Sequence, residues 1–181
     1  MFEYGGAGAG ASGGLTKIAD TTLGAAAASF DITGIPGTYR HLLLHLGARD
    51  DTVGASWGLF MTYNGDTGAN YDVSYTQGGG GASGNAFSAQ TALTVATVPC
   101  TQATANTAGH AAVWLLNYAG TTFYKAMIGE DLWYQTLGTG TSYMTDQHTG
   151  LWRSTAAINR ITLAPQGGNL ISGSFVTLYG L

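Results

Sequence analysis

Charge is scarce in this chain. Six Lys plus Arg and ten Asp plus Glu make up 9% of 181 residues and leave a net charge of −4. With so few cations and no basic run, nothing is available to neutralise a phosphate backbone, which argues against a nucleic-acid partner. Cysteine is nearly absent too. A single thiol, Cys100, cannot close an internal disulfide, so nothing here requires an oxidising compartment. No organised base accompanies Cys100, and it is expected to serve as a small buried apolar residue. Long apolar runs are also missing, far short of the roughly 20 residues that span a bilayer. The opening MFEYGGAGAGASGG has neither the basic nor the apolar region of a secretory signal. Membrane insertion is therefore not expected.

What the chain does have is glycine, 29 residues of it, beside a hydrophobic content of 45% that argues against disorder. A chain of this size buries about 70% of its unfolded surface, enough for one domain with a real core. No second-domain boundary and no exact repeat is apparent, so residues 15–181 form one domain behind a Gly/Ala-rich arm, residues 1–14. That arm cannot pack a core by itself. It contains G-x-G-x-x-G (Gly8, Gly10, Gly13) and G-x-S-x-G (Gly10, Ser12, Gly14). Neither has the preceding strand that a dinucleotide site or a nucleophile elbow needs, so both are products of composition. The arm is expected to lie extended against a neighbouring subunit, with Gly5 and Gly10 in that contact.

The body alternates with period two. Leu42, Leu44 and Leu46 fall on one face of a strand from Tyr39 to Arg49, and His41, Leu43 and His45 on the other. Leu59, Met61 and Tyr63 repeat the pattern with Trp57. Asn64-Gly65-Asp66-Thr67-Gly68 is a turn leading into Tyr71, Val73 and Tyr75. Ile35-Pro36-Gly37 is another turn, and Gly78 to Gly84 marks a loop. Further strands are expected at Leu15–Ala19, Ala27–Ile32, Ala92–Val98, Ala111–Tyr118, Thr122–Ile128, Ser142–Met144 and Gly150–Arg153. The terminal stretch, Ile158 to Leu181, forms two strands joined by a Gly-containing turn. Its last strand, Phe175 to Tyr179, is apolar on both faces, which marks a central strand or one covered by a neighbouring subunit, with Phe175 and Tyr179 as candidate interface residues. The C-terminus is expected to close the sheet. About ten short strands, Gly-rich turns and no amphipathic helix predict an all-β sandwich or jelly roll.

Organised chemistry is hard to find. His41 and His45 form H-x-x-x-H, a metal spacing on a helix, but on a strand the two lie about 13 Å apart at ~3.3 Å per residue. Asn64, Asp66, Asn70 and Asp72 make an oxygen-rich loop, yet Tyr75 stands where a calcium loop of the EF-hand kind places its Glu. Glu130 and Asp131 are neighbours and so face opposite sides of a strand, unlike the facing carboxylates of a glycosidase. His110 and His148 have no visible partner for a triad. No catalytic residue, cofactor or metal site is assigned. Aromatics are plentiful, with four Trp and ten Tyr. Trp57, Tyr63, Tyr71, Tyr134, Tyr143 and Trp152 fall at loop edges, where they would either fill the core or stack on sugar rings of a glycan.

Four stretches, IPGTYRHLLLHLGARD, YNGDTGANY, GLWRSTAAINRITL and NLISGSFVTLYGL, together resemble small structural proteins of tailed bacteriophages, of the tail-fibre, minor virion or capsid-decoration type. The likeness runs from about Leu15 to the end and is most specific at Asn64–Tyr71 and Gly173–Leu181. It implies a non-catalytic β-sandwich that works in the virion by packing against other virion proteins and copies of itself, assembled in the host cytoplasm, with contact to a host surface glycan. By analogy with surface fibres it also implies a homotrimer. A carbohydrate-binding module and a glycan-cleaving tail enzyme are the two other classes left open.

Overall fold

In the folded chain the period-two alternation becomes strand throughout. A computed structural model describes residues 14–78, 83–137 and 140–181. Among them the order is β1 (Thr16–Thr22), β2 (Phe30–Thr33), β3 (His41–Ala48), β4 (Ser56–Tyr63), β5 (Tyr71–Gly78), β6 (Ser83–Gln90), β7 (Leu93–Pro99), β8 (Gly109–Leu116), β9 (Lys125–Leu137), β10 (Gly140–Trp152), β11 (Arg160–Pro165) and β12 (Phe175–Gly180). Two antiparallel sheets result, one of eight strands in the order β1-β12-β3-β8-β9-β10-β5-β6, the other of four in the order β2-β11-β4-β7. The expected all-β class, consistent with a β-sandwich, is thereby established. The arm, with Gly5 and Gly10, lies outside the described residues.

The core sits between the sheets, where the two inner faces interdigitate. Leu42, Leu44 and Leu46 of β3 and Val176 and Leu178 of β12 meet Leu59 and Met61 of β4 and Ile161 and Leu163 of β11, all buried. The Asn64-Gly65 turn is as its residues require. Both take positive φ, and the amide of Asp66 donates to the carbonyl of Tyr63 at 2.9 Å.

Three strand expectations change. Ser142–Met144 and Gly150–Trp152 belong to one long strand, β10, with Arg153 just past its end, because pairing with β9 on one side and β5 on the other keeps the intervening polar residues extended. The end of the Gly78–Gly84 loop is strand, since β6 from Ser83 pairs along β5 although every residue of it is exposed. The two terminal strands lie in different sheets, so the Gly-containing segment between them is a crossover and not a hairpin turn. β12 is central, as its two apolar faces indicate, but β1 occupies the edge beside it, so the C-terminal strand does not close the sheet.

Close approach of the sheets depends on small residues. A Cβ added at Gly109 of β8 would run into the backbone carbonyl oxygen of Thr97 in β7. Backbone cannot swing aside as a side chain can. Gly109→Ala is therefore expected to destabilise the fold by about 1–3 kcal/mol, seen as a lower urea midpoint at unchanged slope. An unaltered midpoint would mean that the sheets are not held this close.

Candidate functional site

The hairpin of β9 and β10 sets Asp131 directly opposite Asp146. Both side chains point to the inner face, beneath β7, and both are buried. Thr97 of β7 joins them. Its amide donates to Oδ2 of Asp131 at 2.5 Å, and its hydroxyl donates to Oδ2 of Asp146 at 3.0 Å. The amide of Asp146 donates to Oδ1 of Asp131 at 3.0 Å, and Nε1 of Trp133 donates to Oδ2 of Asp146 at 3.2 Å. His148, two residues along β10 and so on the same face, sets Nε2 at 3.3 Å from Oδ2 of Asp131. Loss of hydration pushes the Asp131 carboxyl above its ordinary range, while the His148 contact and the Thr97 amide act against that rise.

Asp131, Asp146 and His148 could each offer one atom to a shared metal ion. The donors already seated on their oxygens point instead to a hydrogen-bonded clamp between the sheets, since N–H and O–H groups occupy the directions a cation would need. Two atoms stay unused. Oδ1 of Asp146 and Nδ1 of His148 are buried without a partner. Both residues line a cleft of 480 Å³ at the corner where β6 passes through Thr91 and Ala92 into β7. Its wall includes Tyr75 of β5 and Phe87 of β6, whose rings stack 6.4 Å apart at 27°.

The six aromatics singled out from the sequence do not gather into one surface. Tyr63, Tyr71 and Trp152 are buried and cannot meet a glycan. They pack on one another with ring separations of 5.5–6.3 Å and secure the Asn64–Asp72 loop from below. Nε1 of Trp152 donates to Oδ2 of Asp66 at 2.7 Å, and this bond holds the Asp66 carboxyl below its usual range. Trp57 is 40% exposed on the four-stranded sheet, whereas Tyr143, 70% exposed, meets the half-buried Tyr134 edge to face on the other sheet. Oxygens of that loop are committed to protein donors. Asn64 Oδ1 takes the amides of Asn159 and Arg160, Asp66 takes Gly68 and Asn70, and Asp72 pairs with Arg153.

His41 and His45 lie on a strand, as the leucine pattern indicates. His41 Nδ1 accepts the Asn117 amide, and His45 meets Tyr179 edge to face. Cys100 is buried, and burial pushes its thiol up to about 12. His148, with no visible partner in the sequence, is the residue whose placement changes most, because the partner lies 17 positions away across a hairpin. A signal was available: Asp131 lies as far before Leu137 of β9 as Asp146 lies after its partner Gly140 of β10. Reading Ser142–Met144 as an isolated strand hid it.

The second feature is the outer face of the eight-stranded sheet. Strand register aligns Tyr179, Leu43, Trp114 and Ile128 in one row and Phe175, His110 and Leu132 in another. Trp114, Ile128 and Leu132 are exposed, and Phe175 and Tyr179 partly so. Between the rows, Ala112 floors shallow hollows rimmed by His45, Glu130 and Gln147. Glu130 faces out and Asp131 in, as their adjacency requires.

Comparison with protein-family models, curated proteins and solved structures finds no match. Among the described residues no helix is long and apolar enough to cross a membrane.

A titration tests the clamp. A raised carboxyl pKa in the folded state means that Asp131 stabilises the fold most below the unfolded value of about 3.9, and that this contribution is lost as pH rises through the folded value. Asp131→Asn should cost stability at every pH, since its amide would face the Thr97 or Asp146 N–H. The cost should be largest near pH 4 and smaller at pH 7, as read from urea unfolding. A cost that grows with pH would contradict the burial effect.

Proposed function

We propose that this chain is a non-catalytic structural protein that acts by self-association, as a component of a tailed-bacteriophage virion surface, whether tail fibre, minor virion protein or capsid decoration. The observation that carries the reading is the outer face of the eight-stranded sheet. Eight strands at ~4.8 Å spacing and about 25 Å of strand length give roughly 950 Å², enough for the ~800 Å² per partner of a stable interface. Exposed apolar residues and small-residue hollows alternate across it, so one copy supplies both the projections and the recesses that a second copy needs. Its few polar groups favour the same partner, because Glu130, which accepts, lies in one face with His45 and His110, whose ring N–H groups donate. The virion assignment rests on the resemblance in the YNGDTGANY and C-terminal stretches, and contacts to other virion proteins or a host glycan follow from that resemblance alone.

A face that packs on itself generates a two-fold contact, whereas the homotrimer of the analogy needs two different patches. Native mass decides between them. The full-length chain is expected to be oligomeric by light scattering, and Ile128→Glu/Leu132→Glu to be monomeric with an unchanged circular-dichroism spectrum. A wild-type monomer at high micromolar concentration would overturn the proposal. The arm is tested separately. Removing residues 1–14 should weaken assembly, and an unchanged mass would place the arm outside the interface.

A further inference from the structure

The cleft beside the carboxylate clamp has no role in self-association, because it opens on the inner side of the large sheet. Among the described residues nothing fills this space. The large sheet has eight strands and the small one four, and no more than the edge of the small sheet reaches β5. The inner faces of β5 and β6 therefore run past their cover. Tyr75 and Phe87 stand there as a two-ring wall, with Phe87 47% exposed. The exposed Phe87 ring and the half-buried Tyr75 ring thus face a cleft whose floor is polar, with Thr97 and Gln77 both seated on Oδ2 of Asp146.

We propose that this cleft binds a pyranose ring of a neutral glycan. Its volume, 480 Å³, lies in the range of small-ligand sites. Sugar rings present apolar C–H faces that match the Tyr75–Phe87 wall, and hydroxyls that both donate and accept. Gln77, Gln90 and Gln166 line the same space and do both. On the floor, Gln77 Nε2 lies 3.4 Å from Oδ2 of Asp146, which leaves the Gln77 amide oxygen to accept from a sugar hydroxyl. No Lys or Arg is among the lining residues, and the Asp146 carboxylate repels negative charge, so an acidic sugar is disfavoured. An ammonium ligand only donates and would leave the amide donors unmatched. None of these residues belongs to the six aromatics that the sequence singled out.

The test is saturation-transfer-difference NMR on the full chain with D-glucose, D-galactose, D-mannose and N-acetyl-D-glucosamine, and with D-glucuronate as the charged control. Ring-proton transfer is expected for at least one of the four neutral sugars. Phe87→Ala, a change at an exposed edge strand, should weaken that sugar about tenfold while leaving the spectrum of the folded core and the native mass unchanged. Tyr75→Ala/Phe87→Ala should abolish it. Absence of transfer from all four sugars would overturn the proposal, as would equal affinity in the Phe87→Ala protein. Glucuronate binding as tightly as glucose would overturn the neutral-ligand assignment. Because native mass is read on the same samples, failure of sugar binding is distinguishable from failure of self-association.

Discussion

Two carboxylates from one sheet closing on a single threonine of the other form the constraint on which the rest of the structure depends. Asp131 and Asp146 take the amide and the hydroxyl of Thr97, so the β9–β10 hairpin cannot slide under β7 without breaking both bonds. A shift of one residue would turn the carboxylates to the outer face and bring Glu130 and Gln147 in. Such buried polar groups contribute little net stability, because their desolvation offsets much of what the bonds return. Their effect is on register. Apolar contacts between the sheets tolerate small slips, whereas a donor aimed at a buried carboxylate does not.

Register then determines which residues share a row on each side of the large sheet. On the inner side it puts His148 next to the clamp and beside Tyr75, at a ring separation of 6.1 Å. On the outer side the same pairing brings Trp114, Ile128 and Leu132, from two neighbouring strands, within one apolar patch. Both candidate surfaces are consequences of one hairpin alignment. The unequal strand count of the two sheets does the remainder, since a four-stranded sheet cannot cover an eight-stranded one and does not extend over β5 and β6.

The buried aromatic trio shows a different use of polar atoms. Tyr71 accepts the Tyr63 amide and donates to the Asp66 carbonyl, and Trp152 donates to the Asp66 side chain. Rings that would stack on a ligand at a surface here anchor a loop, with their polar ends satisfied in the interior. Composition cannot separate these two uses. Tyr and Trp suit both, because each joins an apolar body to a hydrogen-bonding tip.

Local pattern was sufficient for the class of the fold, for β3 and its inward leucines, for the Asn64-Gly65 turn and for the central place of β12. Each depends on residues within a few positions of one another, where period-two alternation and turn preference act directly. The length of β10 was not legible, nor was β6, because strands with exposed or polar residues are stabilised by neighbours instead of by their own composition. Neither was the clamp. Asp131 and His148 look unremarkable apart, and the physical fact that joins them is a cross-strand distance, which exists once the chain has chosen its register. The sequence by itself determined which residues prefer to be strand and which must be buried. Tertiary structure alone decided which buried polar atoms would meet, and that Oδ1 of Asp146 and Nδ1 of His148 would not.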